Sequence, residues 1–370
     1  MLKYKNDQRI VLILDAGGTH FVFSAIRENH EIITPVVQSA PLESLDQCIH
    51  GIVQGFKKMI ENMSERPEAI SIAFPGPADY FQGIIGDLPN LSCFRGGIPL
   101  GPILQKELQL PVFINNDGDL FAYGEALCGL LPYVNRMIEK TGNARVYRNL
   151  FGITLGTGFG AGLVVDNKMH RGDNSAAAEV WAIRHPMHSA SFMEEGVSIR
   201  ALRRNYAEFT GVPSEETPLP EDIFKIAKGM MEGNQEAAIK TFHIFGKVLG
   251  SALATIVSVV DGLVVIGGGL SGAYEFFISS LIKEMNRPLY TLDGSREIDP
   301  VLHAFNLNDP DQLNNFIRGK VSKINIPGTE KNLVYDPYKR TGVGISSLGT
   351  SRAIGIGSYA FALDCLDHMH

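Results

Sequence analysis

Cysteine is scarce. The four residues Cys48, Cys93, Cys128 and Cys365 lie far apart and form no Cys-x-x-Cys pair. That spacing argues against a zinc module built on paired cysteines and fits a reducing, cytoplasmic setting. Long apolar runs are missing as well. Only the four apolar residues 11–14 precede Asp15, too few for the apolar region of a signal peptide. The most hydrophobic stretch, residues 249–266, is broken by Ser251, Thr255, Ser258 and Asp261, so no membrane span is expected. Positive charge is in short supply too: 33 Lys and Arg against 40 Asp and Glu leave a net charge of −7. Binding to a phosphate backbone rests on clustered Lys and Arg, so nucleic acid is not expected as a partner, and neither is a membrane. The densest basic run, Arg200 with Arg203 and Arg204, reads as a solvated helix face.

What remains is an ordinary globular composition, 45% hydrophobic and 20% charged, over 370 residues. That length suits two domains. Glycine is the surplus, 39 residues where about 7% of the chain would be usual, so the positions of the glycines carry information.

Residues 9–27 read as a buried strand, a turn at Gly17-Gly18 and a second strand. A helix follows over about 42–65, with Ile49, Ile52, Val53, Phe56, Met59 and Ile60 at helical spacing. Residues 69–77 form a strand running into Pro75-Gly76-Pro77. Residues 111–117 form another, ending in Asn116-Asp117, and a helix is expected over 118–130. Residues 132–149 are polar and read as a linking region. From 149 to 172 the opening pattern returns: strand, glycine turn, strand. Helices dominate 198–260, residues 261–269 read as a strand with a glycine turn, and residues 273–287 as the helix after it. The Asn-, Asp-, Pro- and Lys-rich residues 288–340 look like an extended insertion, and 348–363 close in a Gly-spaced helix. Two regions about 140 residues apart that begin alike suggest duplicated domains.

Three glycine turns could carry chemistry. Gly267-Gly268-Gly269-Leu270-Ser271-Gly272 matches the dinucleotide pattern G-x-G-x-x-G. It lacks the acidic residue that should end a second strand about 20 residues on. Asp15-Ala16-Gly17-Gly18-Thr19 puts a carboxylate at a strand end before a turn whose amides could cradle phosphate; an ordinary hairpin turn is the competing reading. Leu155-Gly156-Thr157-Gly158-Phe159-Gly160 supplies a second such turn, and two clamps suit a nucleoside triphosphate. Asp117 sits where a carboxylate could take the proton of an acceptor hydroxyl, while Asn116-Asp117 could equally cap the helix that follows.

In this order the sequence resembles the ROK family (repressor, open reading frame, kinase) of sugar kinases, members of the hexokinase, heat-shock-protein and actin superfamily. The resemblance covers about residues 9–287 and 341–363. It is carried by residues 15–19, Phe74-Pro75-Gly76-Pro77, Leu88-Pro89-Asn90-Leu91, Asn116-Asp117 with Gly124-Glu125-Ala126, residues 156–162 with His170-Arg171-Gly172, and Val265-Ile266-Gly267-Gly268-Gly269. It implies an α/β fold of two ribonuclease-H-like (actin-like ATPase) domains around a central cleft. Their expected extents are 1–117 with 355–370, and 118–354 with the insertion at about 288–340. It also implies an ATP- and Mg2+-dependent kinase for a hexose or N-acetylhexosamine, and a homodimer. Asp117 would be the general base, and Asn90 and Asn116 would bind sugar hydroxyls. Gly17, Gly18, Thr19, Thr157 and Gly158 would hold the triphosphate, with Asp15 near Mg2+ through water. Gly268 and Gly269 would approach the adenosine. Phe94 and Trp181 are expected in the core rather than lining the pocket.

The sequence also departs from the family. The family's Gly-Glu-x-Gly-His reads Ala178-Glu179-Val180-Trp181-Ala182 here, so Glu179 is kept and the His is lost. The cysteine cluster that follows is absent, and His185 with His188 are too few ligands for zinc, so no structural zinc is expected. Glu194 aligns with the family's second acidic sugar contact. The competing function is a non-catalytic sugar sensor. A repressor is not expected, since eight residues before the first strand leave no room for a helix-turn-helix domain.

Overall fold

A computed structural model of the chain describes residues 3–17, 20–40, 44–76, 78–88 and 93–369. The chain divides into two compact units. The first comprises Met1–Gly129, Gly162–Ala178 and Leu348–His370; the second comprises Leu130–Ala161 and Glu179–Ser347.

The first unit runs β1 (Val11–Ala16), β2 (His20–Arg27), β3 (His30–Glu31), β4 (Val36–Ser39), α1 (Leu45–Glu61), β5 (Ala69–Ala73), a small ribbon of β6 (Ala78–Asp79) and β7 (Ile84–Ile85), α2 (Leu100–Leu108), β8 (Val112–Asn115) and α3 (Asp117–Cys128). The sheet order is β3-β2-β1-β5-β8, with β4 also on β2. β1 pairs antiparallel with β2 and parallel with β5, and β5 pairs parallel with β8. Successive side chains of a strand face opposite ways, and β1 is apolar at both parities. Leu12, Leu14 and Ala16 join Ile52 and Phe56 in one core cluster, while Val11 and Ile13 join Tyr359 and Leu363 in another. The expected helix over 42–65 begins later, where Ser44 accepts the N–H of Gln47 as N-cap.

The second unit begins with α4 (Leu130–Lys140). It continues with β9 (Leu150–Leu155) and β10 (Phe159–Val165); β11 (Lys168–Met169) follows in the stretch that belongs to the first unit, and the second unit resumes with α5 (Ile199–Thr210), α6 (Pro220–Ala227), α7 (Gln235–Val260), β12 (Leu263–Gly267) and α8 (Tyr274–Met285). Next come the ribbon β13 (Leu289–Tyr290) and β14 (Glu297–Ile298), β15 (His303–Asn306), α9 (Pro310–Arg318), the ribbon β16 (Ser322–Asn325) and β17 (Asn332–Tyr335), and β18 (Arg340–Ile345). The unit boundary falls within β10. The second sheet has the order β11-β10-β9-β12-β18-β15, which repeats the five-strand path of the first and extends it by β15, where the first has β4 on β2 instead.

Two expectations need correction. Residues 132–149 are not all linker: Leu130, Leu131, Val134 and Ile138 recur at helical spacing and are buried as one face of α4. Pro132 is tolerated because the first turn of a helix needs no N–H there. Residues 288–340 are not all insertion either, since β15 pairs parallel with β18 and extends the central sheet. The apolar stretch 249–266 divides between the end of α7 and β12. α7 is the one described helix long and apolar enough to cross a membrane; Phe242, Phe245, Leu249 and Leu253 on it are buried inside the unit.

The last helix, α10 (Thr350–Asp367), returns to the first unit and crosses α3. The crossing is so close that a Cβ on Gly124 would strike the carbonyl of Ala353, and one on Gly357 the carbonyl of Leu120. Both obstacles are backbone, which cannot rotate aside. Gly357→Val should therefore cost ~1–3 kcal/mol or more and lower the melting temperature by several degrees; an unchanged melting curve would show that the helices can separate freely.

Candidate active site

In the first unit the geometry converges on the carboxyl ends of β1 and β8. Asp15 is the penultimate residue of β1, opposite Val22 and Ala73. Burial, and then the charge of Asp117, push its carboxyl up to about 6. Asp117 is the first residue of α3. Burial raises its pKa as well, while the Gly118 N–H, donating to Oδ1 at 2.9 Å, pulls the other way. No Lys, Arg or His pairs with either carboxylate among the described residues.

Asn116 takes the capping role. As N-cap of α3 its Oδ1 accepts the N–H groups of Gly118 at 2.8 Å and Asp119 at 3.4 Å. Its amide Nδ2 remains on the other side and donates to the Tyr80 hydroxyl at 3.3 Å. Tyr80 in turn donates to the Phe74 carbonyl at 3.1 Å. Sequence reasoning missed Tyr80, which follows Pro75-Gly76-Pro77 with nothing in the pattern to single it out. Gly17 is exposed at the end of β1. Gly18, Thr19, Asn90 and Pro77 lie outside the described residues.

In the second unit the two glycine turns lie side by side. β9 ends at Leu155, and the turn after it closes through Gly156 N–H to the Gly158 carbonyl at 3.1 Å, leaving Thr157 exposed. Gly268 has φ of 84°, and a Cβ there would collide with the backbone of Leu155, so only glycine fits. Gly269 faces open space. The turn is held from below. Glu194 accepts the Phe159 N–H on Oε2 at 3.0 Å and pairs through Oε1 with Arg200 at 2.8 Å, and Ile199 N–H donates to the Gly156 carbonyl at 2.9 Å. The basic run is thus not merely a solvated face: Arg200 and Arg204 both bind Glu195, and Arg200 also binds Glu194.

Glu179 accepts a hydrogen bond from the Trp181 indole N–H. Trp181 is 43% exposed and packs edge-on against Phe192, which corrects the expected core position; an indole that hydrogen-bonds a half-buried carboxylate stays near the surface. Phe94 is fully buried against Phe74. His185 and His188 stack with ring centres 4.9 Å apart, and the buried His185 accepts the Met187 N–H through Nδ1. Among the described residues no three His, Cys, Asp or Glu side chains could together hold a metal. Magnesium asks for less, one or two carboxylates plus substrate phosphates. Asp15 and Asp117, desolvated and repelling, are a donor pair that a divalent cation would relieve. A cavity of about 900 Å3 in the first unit is lined by Tyr80, Phe81, Phe113 and Arg171 and by neither of these carboxylates.

Residues 11–306 match the signature of the ROK family. The chain belongs to the ROK family. A solved glucokinase from Parabacteroides distasonis is 48% identical over 98% of this chain and 99% of its own, with a TM-score of 0.88. An N-acetylgalactosamine kinase from Shewanella is 28% identical over 279 residues, 71% of this chain and 82% of its own. A ROK glucokinase from Streptomyces griseus, solved with glucose and AMPPNP, shares the fold at a TM-score of 0.63 and 20% identity, over 94% of this chain and 97% of its own. The α/β fold of this ROK protein is that of the ROK sugar kinases, which have two actin-like ATPase domains.

The half-buried acidic pair gives the protein a pH signature. A carboxyl whose pKa rises on folding, here from 3.8 to about 6, binds its proton more tightly folded than unfolded. Stability is therefore lost as pH rises from about 4 through about 6. Asp15→Asn removes that loss and should stabilise the protein at pH 7–8 by on the order of 2–3 kcal/mol, with the gain vanishing below about pH 4. Denaturant titrations at several pH values measure it, and a gain that does not depend on pH would refute the pairing.

Proposed function

We propose that Asp117 is the general base of this ATP-dependent sugar kinase and that the acceptor is a hydroxyl of a hexose or N-acetylhexosamine. The chain is a sugar kinase by family. The choice between hexose and hexosamine rests on relatives named for both, with the 48% identical glucokinase favouring glucose. One observation carries the base assignment: burial leaves Asp117 with a raised pKa and no cationic partner, so its carboxylate is more basic than an exposed one and free to take a proton.

In the reaction the sugar oxygen forms a bond to the γ-phosphorus, the bond from that phosphorus to the β–γ bridging oxygen breaks, and ADP leaves. The hydroxyl proton passes to Asp117. Asn116 would hold a neighbouring hydroxyl while its side-chain oxygen caps α3, and Asn90 would hold another. Glu179 and Glu194 are the acidic contacts proposed for the sugar, although both already have partners in their own unit. Gly17, Gly18, Thr19, Thr157 and Gly158 would take the phosphates, because exposed backbone amides in tight turns bind anions. Gly268 and Gly269 would let the adenosine approach the backbone. Asp15 would hold Mg2+ through water, and the bound ion would offset the phosphate charge.

Asp117→Asn keeps the size of the side chain and removes its basicity. Turnover in a coupled ADP assay over a panel of hexoses should fall about 10²–10⁴-fold, with sugar and nucleotide binding retained. Undiminished turnover would refute the base. A wild-type chain that binds one sugar and releases no ADP would be a sensor instead.

A further inference from the structure

The cavity of about 900 Å3 in the first unit has a chemistry of its own. All of its lining residues belong to that unit. β8 is the edge strand of the sheet, and residues 111–114 form one wall. Pro111 opens that edge without an N–H, which discourages a further strand from adding there. The volume suits a small molecule instead.

Charge selects the kind of molecule. The chain has a net charge of −7, yet among the described residues the lining holds Lys106 and Arg171 and no Asp or Glu. Lys106 is exposed on α2, whereas Arg171 is half-buried. The Arg171 guanidinium lies 4.0 Å from the centre of the Phe81 ring and 5.3 Å from that of Phe361, and Phe361 meets Phe113 edge-on. Among the described residues this guanidinium forms no ion pair and donates no hydrogen bond. Burial lowers its pKa, while Cys365 and Asp119 pull the other way. The cation is thus held at a cost that an anion would offset. Its planar fork matches a carboxylate or a phosphate, and the aromatic rings beside it match a flat apolar body.

Tyr80 connects the cavity to the candidate active site. It lines the cavity, and its hydroxyl accepts from Asn116 Nδ2 at 3.3 Å and donates to the Phe74 carbonyl at 3.1 Å. Asn116 caps the helix whose first residue is Asp117. An occupant resting on Tyr80 is therefore one hydrogen bond away from a residue proposed to hold a sugar hydroxyl. We propose that the cavity is an effector site for a small aromatic oxyanion, carboxylate or phosphate, held by Arg171 and read out at Asn116 through Tyr80. The readout rests on the sugar-site reading above; the binding does not.

Calorimetric and NMR titrations of the full chain test both parts. 1-Naphthylacetate and 1-naphthyl phosphate should bind with a Kd of about 1 mM or lower, the tighter of the two naming the oxyanion. Neutral 1-naphthylacetamide should bind about tenfold more weakly or worse. Arg171→Gln should weaken both anions by about tenfold or more at an unchanged melting temperature. Gln105→Trp, at an exposed position of α2 that lines the cavity, should block binding with Arg171 intact. A saturating anion should shift the Kd of the hexose chosen by the turnover panel about fivefold or more, and Tyr80→Phe should keep anion binding and abolish that shift. Equal binding of the neutral amide, or anion binding indifferent to both Arg171→Gln and Gln105→Trp, would overturn the site. An unchanged hexose Kd would overturn the effector role. A chain that binds the anion and no hexose would overturn the sugar reading, and the readout with it, while leaving the anion site standing.

Discussion

Two carboxylates of like charge, partly withdrawn from water and with no cationic side chain paired to them among the described residues, set the terms for the first unit. The charge of Asp117 adds to the cost of ionising Asp15, burial raises the pKa of both, and burying charge without a partner is opposed by desolvation. Something must hold them there. β1 and β8 flank β5 in one parallel run and fix the strand ends. Asn116 caps α3 and sets the first residue of that helix, and α10 clamps α3 through glycines that permit backbone contact. The rigidity of the unit is what allows an unfavourable pair to persist, as is common where function and stability conflict.

The second unit solves a different problem with different means. Its turns present backbone rather than charge, and the side chains that matter stand behind them. Glu194 illustrates this: one oxygen holds the Phe159 amide while the other holds Arg200, itself on α5. In the phosphate-binding role proposed for this turn, Glu194 would act from behind, since what the ligand would meet is the amide row that the carboxylate steadies.

Local pattern made some of this legible and left the rest hidden. Each strand–turn–strand opening was readable because apolar runs broken by Gly17-Gly18 or Gly156 have few alternatives. Asn116-Asp117 was readable because a polar pair closing a buried strand is a local event. α4 was obscured by Asn135, Arg136, Glu139 and Lys140, which are its solvent face and dominate its composition. β15 is four residues long between polar neighbours, and only its pairing with β18 makes it a strand. The partners of Glu194 come from 35 residues before it and six after, at no periodic spacing. Tyr80 acts through a hydroxyl whose partner is 36 residues away. Long-range contacts of this kind leave no mark on a sequence window.

The return of α10 to the first unit orders the birth of the molecule. Tyr359, Ala362 and Leu363 complete the core face of β1 that Val11 and Ile13 begin. During synthesis that face waits until nearly the whole chain has emerged, whereas the second unit, ending at Ser347, has all its parts earlier. The half made first is therefore the half that closes last, at the high sequence separation that slows folding. The nascent chain carries an uncovered apolar sheet through most of its time on the ribosome, the condition in which chaperones find their clients.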